Sequence, residues 1–155
     1  MFFYIFFVFL LLLTAYCGTK IYIADFRRRI IPDVYLFPLL LTGLVLTTFY
    51  QWPISISDAI IGGVFGYTIS TVIGLIFDWR TQKNSKNIAP IGMGDIKLIT
   101  TGGIWLGTSG LATTLIIACI LGTIWGRRHH QRFIPFAPFF LIGAILTLIA
   151  MTILL

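Results

Sequence analysis

An all-α polytopic membrane protein of about six transmembrane helices is what this sequence predicts, and three observations carry the prediction. Of its 155 residues, 58% are hydrophobic and only 10% charged, whereas a soluble domain runs near one quarter charged. The apolar residues fall into runs close to the roughly 20 that a helix needs to cross a hydrocarbon layer. All eleven Lys and Arg residues fall on one side of the membrane once those runs are threaded through it. The same composition excludes a cytosolic globular enzyme and an intrinsically disordered chain. Cys17 and Cys119 lie in apolar runs and supply neither a disulfide framework nor a four-ligand zinc site.

The first span runs from Phe2 to Ala24, interrupted only by Lys20. It lacks a basic n-region and a small-x-small cleavage site, and Tyr16 stands where lipoprotein-type cleavage before Cys17 needs a small residue, so it is expected to stay as a helix. A polar stretch, Asp25–Asp33, precedes the second span, Val34–Tyr50. Gln51, Trp52 and Pro53 make a short turn, and a third span covers Ile56–Phe77. The longest polar segment, Asp78–Pro90, follows. A fourth span, Asp95–Gly107, and a fifth, Leu111–Trp125, flank a tight Gly107-Thr108-Ser109-Gly110 turn. The basic loop Arg127–Arg132 leads into a sixth span, Phe133–Leu155. The whole chain, 1–155, reads as one membrane-embedded domain.

With six spans, the loops 25–33, 78–94 and 127–132 share a side and, with Lys20 and Lys97 at the span ends beside them, account for every basic residue. By the positive-inside rule that side is cytoplasmic and both termini are periplasmic. A charge of +6 so divided among loops points to topology and lipid, not to nucleic acid.

The acids are more informative. All five are aspartates: Asp25, Asp33, Asp58, Asp78 and Asp95. Asp25 ends the first span and Asp95 starts the fourth, 70 residues apart, yet the topology brings both to the cytoplasmic face. Two carboxylates at one depth are what an aspartic peptidase needs: one takes a proton from water, the other donates to the scissile carbonyl. Like charges at close range cannot both ionise, so proximity divides the roles. The plainer reading is that each Asp marks a helix end, with Asp95 an N-cap. Gly92 and Gly94 beside Asp95 suggest positive φ and room for an extended peptide. The 13 residues from Asp95 to Gly107 span about 20 Å, short of a ~30 Å hydrocarbon layer, so either Asp95 lies in a water-accessible hollow or the bilayer thins there.

Gly92-Met93-Gly94-Asp95-Ile96-Lys97-Leu98 resembles the GxGDxK signature of type IV prepilin leader peptidases, membrane aspartic peptidases. Asp25-Phe26-Arg27-Arg28-Arg29-Ile30-Ile31-Pro32-Asp33 is similar to that family's other signature, a catalytic Asp followed by a basic stretch and Pro-Asp. Ile104-Trp105-Leu106-Gly107 and Ile134-Pro135-Phe136-Ala137-Pro138-Phe139 also resemble family stretches, in the right order. The resemblance implies that Asp25 and Asp95 are the catalytic pair, supported by Gly92, Gly94 and Lys97. It also implies that prepilins or pseudopilins are the substrates and that the bacterial inner membrane is the location. Longer members carry paired CxxC motifs associated with zinc and N-methylation. This sequence has none, so a peptidase without methyltransferase activity, metal or cofactor is expected.

Other polar residues have plainer readings. Asp33, after Pro32, is expected to N-cap the second span, with substrate positioning as the alternative. Lys97 either snorkels to the headgroups or keeps one carboxylate ionised, and Lys20 snorkels. Asp58 is expected to cap the third span. His129 and His130 lack a third ligand. Two other functions compete with the peptidase. A small proton- or cation-coupled carrier would place its acids near the midplane, and a catalytically silent assembly component would be expected to have lost one aspartate.

Overall fold

The structure, a computed structural model, describes residues 2–82, 92–129 and 134–154. Its elements are α1 (Phe2–Arg28), α2 (Asp33–Tyr50), α3 (Ile56–Gln82), α4 (Met93–His129) and α5 (Phe136–Leu154). All five helices are long and apolar enough to cross a membrane. Residues 83–90 of the expected 78–90 loop and the end of the 127–132 loop, with Lys83, Lys86, His130, Arg132 and Phe133, lie outside the described residues.

Five continuous helices meet the expected six spans in α4. Its 37 residues would extend about 55 Å if straight, nearly twice a bilayer core. Gly107 breaks it with φ 67° and ψ −174°, a conformation that a Cβ disfavours. The two arms fold back on each other: Leu111 packs beside Gly102 and Gly66, and Trp125 returns to Phe26 beside Asp25. The turn expected over Gly107–Gly110 is therefore narrower, because Thr108, Ser109 and Gly110 are already helical.

α3 lies against the first arm of α4 closely enough that a Cβ on Gly62 or Gly103 would collide with the other's backbone. Small residues permit such approach where no hydrophobic effect drives helices together. Trp105 fills the space left by Gly43, and its indole N–H donates to the Leu39 carbonyl at 2.9 Å. Large apolar side chains face outward, among them Phe3, Val34, Val64 and Ile149. Most buried hydroxyls bond to backbone or each other: Thr47 to the Gly43 carbonyl, Ser70 to Gly66, Thr101 to Lys97, and Thr114 to Thr147; among the described residues the Thr71 hydroxyl is the exception. Such an outward apolar surface suits lipid, and the internal pairing is what a dry environment demands. The protein is polytopic and all-helical among its described residues.

The start of α3 differs from expectation. α3 is capped by Ser55, not Asp58: the Ser55 hydroxyl accepts the Asp58 N–H at 3.3 Å and donates to Asp58 Oδ2 at 2.7 Å. Asp58 is the third helical residue, and its carboxylate holds the capping hydroxyl in place.

Candidate active site

α1 continues one turn past its expected end at Ala24, so Asp25 projects from inside the helix. Arg29 then adopts φ 54° and donates its N–H to the Asp25 carbonyl at 2.9 Å, ending the helix with a left-handed residue. The Asp25 side chain is buried, 5% exposed. Its Oδ2 accepts the Ala137 N–H at 2.8 Å, and the Phe136 amide and the Arg29 charge also act on it. Asp25 thereby caps α5, a helix 112 positions away in sequence, whose first amides would otherwise lack partners.

Asp95 is not the N-cap of α4. That position belongs to Gly92, whose carbonyl accepts the Asp95 N–H at 3.0 Å. Asp95 reaches back as the third helical residue, its Oδ2 accepting the Gly92 N–H at 3.3 Å. It is partly buried and close enough to Asp25 for the two charges to interact. Gly107 is the one described glycine with positive φ, so the expected role of Gly92 and Gly94 in a positive-φ backbone does not hold. Gly94 is helical, and its value is space: a Cβ there would lie 2.9 Å from the Ile31 Cβ. The α1–α2 connection thus rests directly on the start of α4.

Lys97 neither snorkels freely nor sits on the carboxylate pair. It binds Asp33, Nζ to Oδ2, at 2.6 Å. Two residues along a helix turn the side chain by about 200°, which points Lys97 away from Asp95 and toward α2. Asp33 is not an N-cap either: Pro32, at φ −74°, takes that position, and Asp33 becomes the first helical residue. Lys20 lies over the Tyr16 ring at 5.4 Å. His129 stacks on Trp125 with ring centroids 4.5 Å apart. Among the described residues no group of three or more His, Cys, Asp or Glu could hold a metal.

Sequence reading missed the Ala137 amide, the Ile31 contact and the Asp33–Lys97 pair. A signal for the first was present: Pro135 and Pro138 lack N–H groups, so few amides in that turn need a partner. A second missed feature is an apolar groove of about 490 Å³ between α1, the first arm of α4 and α5. It starts at Tyr22 and Leu98, one turn from the two aspartates, and continues to Leu11 and Leu148. At the same end, Arg27, Arg28, Arg29 and Trp125 line a polar cavity of about 430 Å³.

Fold and site together define a polytopic helical membrane protein with two interacting carboxylates at one end of the bundle. The family model for the type IV leader peptidase family matches residues 4–127. The chain is 31% identical over 132 residues to a prepilin leader peptidase/N-methyltransferase of Aeromonas salmonicida strain A449, covering 81% of this chain and 43% of that protein. It is 32% identical over 131 residues to the protein of that name from Burkholderia pseudomallei strain K96243, covering 80% and 40%. For the Pseudomonas aeruginosa protein of that name the match is 30% over 132 residues, covering 81% and 43%. The chain thus spans about two fifths of the length of these relatives. No solved structure matches it. The chain belongs to the type IV leader peptidase family.

Proposed function

We propose that the protein is a membrane aspartic endopeptidase that removes the short basic leader from prepilin or pseudopilin precursors. Asp25 and Asp95 are its catalytic pair. The single observation that supports this reading most is that α1 and α4 bring two carboxylates into interaction at one end of an apolar bundle. Such a pair shares one proton, which supplies a base and an acid together. The base takes a proton from water while the acid protonates the carbonyl oxygen, giving a tetrahedral diol. Its collapse returns both carboxyls to their starting states. No metal enters any step.

The relatives' names specify prepilin processing, and the apolar groove supports a substrate with a hydrophobic segment beside its cleavage point. The membrane is the bacterial inner membrane, with the site toward the cytoplasm and both termini periplasmic. This orientation rests on the basic residues at the aspartate end, including Arg27–Arg29, Arg127 and Arg128. Co-expression with a prepilin, scored by a gel shift for leader loss, tests the reading. Cleavage should appear with the wild-type chain and vanish with Asp25→Asn or Asp95→Asn. Cleavage persisting within about tenfold of wild type in either variant removes that aspartate from the catalytic pair.

A further inference from the structure

Two carboxylates that share a proton leave open which of them holds it. We infer that the first turn of α5, through the Ala137 amide, keeps Asp25 as the ionised member that accepts the proton from water, while Asp95 carries the proton given to the scissile carbonyl. The inference rests on the peptidase reading above.

The asymmetry begins in the sequence Pro135-Phe136-Ala137-Pro138. Pro135 precedes the helix, where a Ser or Asp would ordinarily offer a side chain to the first amides, and Pro offers none. Pro138, at the third helical position, has no N–H. The turn therefore presents Phe136 and Ala137 amides and no capping group of its own. Ala137 is fully buried, so water cannot serve its amide. Asp25 fills that role at 2.8 Å, at the positive end of the α5 dipole.

Burial works against a charge at Asp25, and the amide works against that burial: a hydrogen bond to a carboxylate is stronger than one to a neutral carboxyl, so it favours the ionised form. Among the described residues, the charged groups that act on Asp25 are Arg29 on its own helix and Asp95 on α4. The first turn of α5 carries no titratable side chain, and Lys97 is engaged by Asp33 of α2. Asp95 has less support for a charge: its bond from Gly92 is 3.3 Å long, and Gly92 is exposed.

The steps balance. Asp25 takes one proton from water as the oxygen bonds to the scissile carbon, and the carbonyl oxygen takes the proton of Asp95. The C–N bond then breaks, the leaving nitrogen receives the proton held by Asp25, and a diol hydroxyl returns its proton to Asp95. Ala137 is a positioning residue, since its amide acts through Asp25.

The test deletes one N–H in the full-length protein in membranes. Incorporation of the α-hydroxy analogue of alanine at position 137 replaces the amide by an ester. Ala137→Pro makes the same deletion genetically, at a first-turn position that tolerates proline. The same ester at Phe139 is the control. Loss of a charge-assisted bond should lower kcat for a prepilin roughly tenfold or more with little change in KM. It should also move the acid limb of the kcat profile to higher pH by about one unit, because Asp25 would then need a higher pH to ionise. The Phe139 ester should leave that limb in place. A mere structural cap would reduce the amount of inserted protein and leave the limb unmoved, and that result overturns the inference. If the wild-type chain cleaves no prepilin, or Asp25→Asn still cleaves, the peptidase reading itself has failed, a distinct outcome from an unmoved acid limb in an enzyme that needs both aspartates.

Discussion

Asp58 and Asp95 occupy the same position in two helices, the third residue of α3 and of α4, and do different things there. The residue at each N-cap makes the difference. Ser55 offers a hydroxyl that Asp58 binds at 2.7 Å, so Asp58 is satisfied within its own turn and stays exposed. Gly92 offers only a backbone N–H at 3.3 Å, and Asp95 remains available to a carboxylate from another helix. A small side chain three residues upstream separates an aspartate used by its own helix from one left open to a partner on another helix.

The largest expected effect tests that separation directly. Asp25→Asn and Asp95→Asn should each lower prepilin cleavage by about 10³-fold, in the range seen when an acid or base is removed. Asp58→Asn should leave the rate within twofold, since Asn also accepts from Ser55, at a cost of roughly a few tenths of a kcal/mol. A gel-shift time course on equal amounts of inserted protein checks all three. An Asp58→Asn loss as large as that of Asp95→Asn would erase the distinction.

Next in size is Gly94→Val. Its Cβ would enter a space 2.9 Å from the Ile31 Cβ, pushing the α1–α2 connection off α4 and separating the helices that carry the two aspartates. Overpacking of this kind costs about 1–3 kcal/mol, and a shift of about 1 Å in catalytic geometry can cost 10²-fold in rate. Ile31→Ala in the same chain should restore part of the activity. Lack of any rescue would show that the glycine serves something other than this contact.

Most of the fold was legible because apolar runs and basic loops obey long-range rules that hold residue by residue. The spans Phe2–Ala24 and Val34–Tyr50 differ from α1 and α2 only at their ends. The Gly107 break was legible as a turn, though not that one residue suffices. The site divides differently. Asp25 and Asp95 could be paired from topology alone, but their partners could not. The Ala137 bond, the Ile31–Gly94 contact and the Asp33–Lys97 pair depend on helix rotation and on register between segments 60 or more positions apart. Hydropathy carries no information about either. Asp33 and Asp58 were misassigned for a shared reason: an aspartate near a helix start suits several first-turn positions, and its neighbour, Pro32 or Ser55, decides which one it takes.

A gentler substitution would convert one region into the other. Gly92→Ser gives α4 the N-cap that α3 has. Gly92 does not require positive φ, and an added Cβ would sit at an ordinary 3.4 Å from Asp95 Oδ2, so the serine hydroxyl can reach the carboxylate. The helix start should gain roughly a few tenths of a kcal/mol, while cleavage falls about tenfold as Asp95 acquires a local partner. Gly92→Ala, which adds the Cβ without the hydroxyl, should fall less. Equal losses in the two would mean that bulk at the approach to Asp95, not the new hydrogen bond, sets the rate.

The smallest effect concerns the ion pair beside the carboxylates. Lys97 and Asp33 are about half exposed, at 41% and 48%, and such pairs contribute about 0.2–1 kcal/mol. Asp33→Asn therefore keeps a polar residue at the start of α2 but gives up the charge, and cleavage should fall no more than about fivefold. Lys97→Gln should match it, because either change breaks the same contact, and the double variant should be no worse than either single one. Exchanging the charges, Asp33→Lys with Lys97→Asp, should recover much of the loss if the pair acts by holding α2 against α4. An additive loss in the double variant, or no recovery on exchange, would mean that the two side chains act separately. Salt sharpens the test: an exposed pair weakens as ionic strength rises, so the gap between wild type and Asp33→Asn should narrow in high salt, whereas the gap between wild type and Asp95→Asn should not.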